Sequence, residues 1–528
     1  MGFLDNIKGL FNNATLEGNY MADRGYSKNN PIITDVYDGE KTDGELGAVL
    51  DTTPDHIKLR LRSYDLQLKT DLVGIITGKF FKWILGSGLK LQAEPNKVVL
   101  GMFGIDEDLK LFQKNTEALF NLYSNSKHSD YHKNDWFHEK ANEALKSAFL
   151  GGDTLCILRV DDFGVNMQVV DGQHVETPVE GNDILKSKKS GNIIKHGIEL
   201  DAKGSHVAFY VVKNNEDTNT LFKKFERVEA VNSRGLNMAW MIYGTKHRID
   251  SVRGIPFISS IMEKISKLDR YSEASVSKAE QTANLIYTIE HDKDSTGENP
   301  ISNFGSKKAV EGVAEEISDF DKSGRTGNAI QQATSNQVYN MPMGAKVKSF
   351  AGETETQYPE FFKSVFYSLC ASVDIPPEVA LQYYEQSYSS SRAAINSWEH
   401  IVEVCRQKFA KKFYHNFYRA FLEYHVLDNT IVAPGFLNAL NKGNFMVIDA
   451  YSNARFFGKK MPHIDPLKEV KAVRAALGSD DTTALISRDQ ATEILGYGDW
   501  NENFSKSLEE ETLIPIVEDD TNNTEDRK

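Results

Sequence analysis

The sequence predicts an α+β fold in which a β-rich unit lies between two groups of helices. Three observations predict it. Apolar residues recur every three or four positions from Pro54 to about Ser87. Short β-branched and aromatic runs, separated by polar turns, fill residues 153–246. Helical periodicity then returns at Pro256 and continues, with interruptions, to about Tyr424.

Length and composition narrow the class of protein. A chain of 528 residues exceeds one simple core, so about two to four structural units are expected. The net charge of −14, from 75 acidic and 61 basic residues, disfavours a domain that grips nucleic acid by charge. Cys156, Cys370 and Cys405 lie far apart without metal-ligand spacing, which indicates free thiols.

The N-terminal part of the chain changes from an extended arm to helices. Residues 1–53 are rich in Gly, Asp and Asn and are predicted to form an arm. A helix follows to about Ser87, and two more are predicted near 106–125 and 134–150. The apolar run LVGIITGKFFKWILGSGL carries Lys79 and Lys82 in its middle. It therefore predicts a packed helix of a soluble protein rather than a membrane span.

Long helices follow the β-rich unit. The first is predicted over 256–290 and is followed by the mixed, polar stretch 291–353. The second begins near Pro359, a favourable first-turn residue, and ends at Pro376. A third runs from about Ser390 to Tyr424. Short helices are predicted over 435–505, and the acidic residues 506–528 are predicted to be disordered.

The sequence carries little that predicts catalysis. It has neither a phosphate-binding G-x-x-x-x-G-K-[ST] loop nor a G-x-G-x-x-G fingerprint. No cluster of His, Cys or carboxylate residues has a persuasive metal spacing, so neither a metal nor a cofactor is predicted. A nonenzymatic role is the better interpretation of this sequence.

The stretch QSYSSSRAA, residues 386–394, stands out by its hydroxyl groups and by its charge. No lysine or arginine occurs from Val373 to Ser391, and Arg392 follows immediately. Taken alone, the composition is typical of a flexible connector in which Ser390 or Ser391 caps the next helix.

Four short elements occur in an order that resembles one known family. They lie within the stretches that begin RIDSVRGIPF, YPEFFKSVFY and GKKMPHIDPL. Over roughly 55–505 the chain resembles the portal proteins of tailed bacteriophages, lambda-type branch. The elements are Arg253-Gly254-x-Pro256, Ile375-Pro376-x-Glu378, Tyr388-Ser389-Ser390-x-Arg392 and Asp465-Pro466-x-Lys468-Glu469.

The resemblance implies a ring, usually of twelve copies, at one vertex of the capsid. Double-stranded DNA would be packaged and ejected through the ring without sequence specificity. The implied protein partners are further copies of the chain, the terminase large subunit, a head–tail adaptor and the major capsid protein. The implied locations are the virion and, during assembly, the host cytoplasm, with no membrane partner.

The resemblance also implies a division of the chain into portal-like parts: long stem helices, a β-rich wing, a small α/β clip and a helical crown. In order these are the N-terminal arm 1–53, the wing 54–255, the first stem helix 256–290, the clip 291–353, the second stem helix 354–375, the channel loop 376–391, the wing and crown helices 392–505 and the acidic tail 506–528.

Two sets of site residues follow from that division. The first faces DNA and consists of Tyr383, Tyr384, Gln386, Ser387, Tyr388 and Ser389. The second contacts protein partners from the clip and consists of Lys307, Lys308, Lys322 and Arg325. Because Lys and Arg contacts to phosphate dominate DNA affinity, a channel loop without cations is expected to touch DNA without holding it.

Two other functions remain open at this stage. One is another head–tail connector or capsid structural protein, which electron microscopy would distinguish by the absence of a closed ring with a central hole. The other is a packaging nuclease–ATPase, which the missing phosphate-binding loop disfavours.

Overall fold

The computed structural model describes residues 55–178, 184–186, 190–213, 224–249, 251–284, 288–289, 339–340, 358–384, 388–459, 466–478, 483–498 and 500–513. Helices and sheets are both extensive in this part of the chain, which confirms the α+β class. The N-terminal arm, the residues 514–528 and the predicted clip, apart from 339–340, lie outside the described residues.

Fifteen α-helices are named here in chain order. They are α1 His56–Lys69, α2 Asp71–Ile84, α3 Lys97–Met102, α4 Lys110–Ser124, α5 Phe137–Gly151, α6 Met262–Asn284, α7 Tyr358–Ser372, α8 Pro377–Leu381, α9 Tyr388–Lys412, α10 Tyr414–Leu427, α11 Phe436–Lys442, α12 Phe445–Tyr451, α13 Pro466–Ala476, α14 Arg488–Leu495 and α15 Trp500–Leu513.

Twelve strands are named in the same way. They are β1 Lys90–Ala93, β2 Asp153–Asp161, β3 Gly164–Asp171, β4 Ile184–Lys186, β5 Ile193–Lys195, β6 Ile198–Leu200, β7 His206–Lys213, β8 Lys224–Glu229, β9 Ala239–Tyr243, β10 Thr288–Ile289, β11 Tyr339–Asn340 and β12 Ala454–Phe457.

The β-rich unit contains two antiparallel sheets, as the strand pattern predicts. One has the order β3-β2-β9, and the other is a meander of β4 to β8. Strand β2 separates two cores, because successive side chains point to opposite faces of a strand. Cys156 and Leu158 join the large core shared with the helices, whereas Leu155 and Ile157 join a smaller core between the sheets.

Two predicted helices are each divided in the structure. The helix predicted from Pro54 breaks at Thr70, whose backbone is extended at φ −124° and ψ 134°. The helix predicted to end at Tyr424 breaks at Phe413, which separates α9 from α10. Its aromatic stripe is core, as predicted: Trp398, Phe409, Phe413, Phe417 and Phe421 are all buried.

A small sheet that the sequence does not predict joins two segments that lie far apart in the sequence. Strand β1 pairs antiparallel with β12, so that Lys90 lies opposite Phe457 and Ala93 opposite Ala454. Each strand has four residues, which is too short for a periodic signal. The pairing attaches the helices that follow β1 to the C-terminal helices α11 and α12.

The predicted acidic tail begins inside a helix. Helix α15 ends at Leu513, so the prediction of disorder is wrong for residues 506–513. Among the described residues, no helix is long and apolar enough to cross a membrane. All three cysteines are free thiols, with Cys156 and Cys370 buried, and burial raises the pKa of Cys370 to about 12.

Candidate functional site

Helices α6 and α7, which belong to the predicted stem, are antiparallel neighbours. The Lys264 ammonium donates to the Ser368 hydroxyl at 3.0 Å, and the Ser272 and Tyr358 hydroxyl oxygens lie 2.9 Å apart. Residues later in α6 therefore contact residues earlier in α7. The Tyr271 ring stacks on that of Tyr358 with centroids 5.6 Å apart.

Two described parts of the predicted channel loop 376–391 are helical. Pro376 precedes the short helix α8, which begins at Pro377. Val379 and Ala380 of this helix are buried. Proline is favourable at the first position of a helix because its missing N–H would have no helical partner there. The prediction of a loop over 376–391 is therefore wrong for α8 and for the first residues of α9.

The exposed turn, defined here as Leu381 to Tyr384, begins at the last residue of α8. Gln382 ends the helix in the left-handed region at φ 55°. Leu381, Tyr383 and Tyr384 are 44%, 60% and 48% exposed. Two aromatic rings are thus presented to solvent next to α8, whose Val379 and Ala380 are buried.

Only two of the other four residues of the predicted DNA-facing set are described by the structure. Gln386 and Ser387 lie outside the described residues, and Tyr388 and Ser389 are the first two residues of α9. The prediction that Ser390 or Ser391 caps this helix is wrong, because both lie within its first turn. Lys307, Lys308, Lys322 and Arg325 lie outside the described residues.

The first cation after the hydroxyl-rich segment is paired. A guanidinium nitrogen of Arg392 on α9 lies 3.2 Å from a carboxylate oxygen of Glu469 on α13. Both side chains are partly exposed, at 39% and 23%. Two sequence elements that are 77 residues apart thus meet in space, and the contact compensates the positive charge that follows the exposed turn most closely in the sequence.

A buried ion cluster anchors the chain that leads into α6. Asp153 is fully buried at the start of β2 and accepts two hydrogen bonds from Arg253, at 2.7 and 2.8 Å. It also accepts from Arg60 of α1 at 2.6 Å and from the backbone N–H of Gly254 at 2.9 Å. Three parts of the fold therefore converge on one carboxylate.

The cluster shifts the ionisation of its members. Burial alone would raise the pKa of Asp153, but the guanidinium groups of Arg253 and Arg60 and the Gly254 N–H outweigh it and hold the pKa below its usual value. Burial, and after it the Arg253 charge, lowers the pKa of the neighbouring His196 to about 3. Burial also lowers the pKa of His56, whose ring packs against that of His196.

Gly254 is required by close backbone approach. A Cβ on this residue would lie 2.1 Å from the carbonyl oxygen of Gly152. From the sequence, Arg253 and Gly254 were predicted only as part of a family element, and Asp153 was not predicted as their partner. The signal available in the sequence was Gly151-Gly152-Asp153, where a carboxylate opens a strongly apolar strand.

Within the described residues, no group of three His, Cys, Asp or Glu side chains could hold a metal ion.

A family model decides the identity of the chain. The model described as phage portal protein, lambda family, matches residues 43–406, more than two thirds of the sequence. The chain belongs to the lambda family of phage portal proteins. The predicted resemblance to this family is thereby confirmed, and three of the four short elements lie within the matched residues.

Membership of this portal family gives the general function. The family is structural rather than enzymatic, and the chain forms the oligomeric ring of a phage portal in the head–tail assembly, at the capsid vertex of the virion. Helices α10 to α15 follow the last matched residue, so the match includes the exposed turn and the predicted stem but not Glu469.

Other comparisons add little to this assignment. No curated protein matches the sequence. Among solved structures, the neck of a native GTA particle computed with C12 symmetry is 12% identical, covers 78% of this chain and 97% of its own, and has a TM-score of 0.33. The neck of an empty GTA particle computed with C6 symmetry is 11% identical, covers 83% and 94%, and has a TM-score of 0.39. Both likenesses are too weak to support a conclusion about this chain.

Proposed function

We propose that double-stranded DNA enters and leaves the capsid through the ring formed by this chain, and that the segment 376–391 faces that DNA. One observation carries the proposal. Between Val373 and Arg392 the chain has no cation. Within this interval the exposed turn presents Tyr383 and Tyr384 to solvent, next to the buried Val379 and Ala380 of α8.

The chemistry of the segment suits passage rather than retention. Each Lys or Arg that meets a phosphate releases counterions, and such contacts dominate the affinity of proteins for duplex DNA. Tyrosine, glutamine and serine offer contact without that contribution. Arg392 is the nearest cation in the sequence, and its ion pair with Glu469 reduces its attraction for phosphate.

The division of the chain follows from the same proposal. Helices α6 and α7 lie in the stem, and their antiparallel packing supports that assignment. Residues 54–255 form the wing, 291–353 the clip, and the helices after Arg392 the outer wing and crown. The clip would receive the terminase motor and later a head–tail adaptor, while the wing would meet the major capsid protein. A dodecamer is the proposed ring.

Adding a cation to the segment tests its contact with DNA. Gln386→Lys places one new positive charge on each subunit. About six to ten new phosphate contacts would make affinity fall by roughly 10³–10⁵-fold between about 50 and 200 mM salt. We therefore expect the variant to form rings, to retain duplex DNA at low salt, and to package more slowly than the parent, with partial recovery as salt is raised.

A matched control separates position from charge. Gln67→Lys makes the same substitution at an exposed position of α1 in the proposed wing. We expect it to package at the parental rate. If Gln386→Lys also packages at that rate, with no dependence on salt, the segment does not face the DNA.

Another head–tail connector or capsid structural protein is the alternative. Class averages of the purified protein along its symmetry axis distinguish the two functions. A closed ring whose central hole admits duplex DNA supports the portal, and an open or hole-less assembly supports the alternative.

A further inference from the structure

The C-terminal helices α13, α14 and α15 have almost no core of their own. Among their described residues and those that connect them, Val473 and Ala491 are the buried side chains. Two buried side chains cannot offset the conformational entropy of ordering three helices. Large apolar side chains are exposed instead: Leu467, Leu485, Ile494, Tyr497, Phe504 and Leu508.

Helix α15 shows this most clearly. Its first turn is attached to the preceding segment, because the Arg488 guanidinium lies 5.2 Å from the Trp500 ring centroid and the Asn503 amide donates to the Tyr497 carbonyl at 2.9 Å. Every residue from Phe504 to Thr512 is exposed. An isolated helix of this length is marginal in water, so α15 needs a packing partner.

The exposed face of α15 combines apolar and acidic side chains. Phe504, Leu508 and Glu511 are spaced i, i+4 and i+7, so they share one side of the helix. Phe504 and Leu508 are 48% and 47% exposed. We call these three residues the α15 face.

Helix α13 carries a complementary face. Leu467, Lys471 and Arg474 have the same i, i+4 and i+7 spacing, and all three are exposed, Leu467 to 74%. We call them the α13 face. It lies away from the buried Val473 and away from Glu469, which holds Arg392. One face is apolar and basic, and the other is apolar and acidic.

We propose that the α15 face of one subunit packs on the α13 face of the next subunit around the ring. A ring closes through a contact between two different surfaces of the same chain. The α15 face and the α13 face are different surfaces, and their charges are opposite. Within the described chain, neither Arg474 nor Glu511 forms an ion pair. With the two helices parallel, Phe504 meets Leu467 and Glu511 meets Arg474.

This inference rests on the ring assembly given by the portal family, but it concerns helices outside the family match. The matched residues end at 406, whereas α13 begins at Pro466. The C-terminal helices would thus add a second contact to a ring whose matched part lies earlier in the sequence.

Crosslinking of assembled rings tests the contact directly. Leu467→Cys and Phe504→Cys are combined in one full-length chain, and the rings are treated with a short bis-maleimide. We expect a ladder of covalent multimers on a denaturing gel. Each single variant should give no ladder, because the contact joins different surfaces. The pair Leu467→Cys with Glu509→Cys is the matched control, since Glu509 lies on another side of α15.

The outcomes separate this contact from the proposed function. A crosslink that stays within one chain, or intact rings without a ladder, would overturn the contact and leave the portal ring standing. If the parent protein forms no ring at all, the ring assembly fails and the contact fails with it. Parent rings treated with the same bis-maleimide are the control for reaction of the native cysteines.

Charge reversal gives a second measurement that does not depend on new cysteines. Arg474→Glu and Glu511→Arg should each weaken subunit association by about two- to fivefold per contact at low salt. The double variant should restore the parental association, and Glu509→Arg should leave it unchanged. Loss of association in the double variant equal to the sum of the single losses would contradict the pairing.

Discussion

The buried cluster at Asp153 makes the strongest prediction about stability. Asp153→Asn keeps the size of the side chain but leaves Arg60 and Arg253 without their shared counterion. Four hydrogen bonds of 2.6–2.9 Å end on this carboxylate, three of them from guanidinium groups. Removal of one partner from a buried ion pair costs about 3–5 kcal/mol, because the other charge stays buried and uncompensated.

That loss is large compared with the stability of a domain, which is about 5–15 kcal/mol. At roughly 2–4 °C per kcal/mol for a domain of 150–250 residues, Tm should fall by about 6–20 °C. Thermal unfolding is measured on assembled protein at one fixed subunit concentration, because association contributes to apparent stability. Hydrogen exchange should also accelerate in both β2 and α6, since Arg253 and Gly254 connect them.

The control for this prediction is Asp65→Asn on α1. Asp65 is 54% exposed and pairs with Lys69, so its removal should cost no more than about 1 kcal/mol. The reasoning is refuted if Asp153→Asn lowers Tm by no more than Asp65→Asn does. Such a result would mean that solvent or another carboxylate compensates the two arginines.

Three further predictions follow from other contacts. Glu469→Gln should accelerate hydrogen exchange at the start of α9 and strengthen retention of DNA at low salt, because Arg392 loses its carboxylate partner. Glu469→Asp keeps a carboxylate and should show smaller changes in both measurements. Stability should fall as pH drops below about 6.5, since His56 and His196 have lowered pKa values in the fold and take up protons on unfolding; His196→Asn should flatten this pH profile in thermal melts. Replacement of the four clip cations by Glu should preserve rings but weaken capture of the motor or adaptor in pull-down assays. These cations are Lys307, Lys308, Lys322 and Arg325. Unchanged capture of both partners would contradict the prediction.

Local patterning in the sequence was enough to predict several features of this fold. The aromatic stripe of α9 and α10 repeats at helical spacing, and its residues are buried as that spacing requires. The strands of 153–246 follow from short β-branched runs between polar turns. The family assignment also came from linear elements, because four of them occur in a fixed order.

Contacts between residues distant in sequence could not be predicted from the sequence and are seen only in the folded chain. Asp153 and Arg253 are 100 residues apart, Arg392 and Glu469 are 77 apart, and β1 pairs with a strand near the other end of the described chain. Periodicity reports which side of an element is buried but not against what it is buried. Partner choice is set by chain topology and by the need to compensate buried charge, and both arise when separate segments pack together.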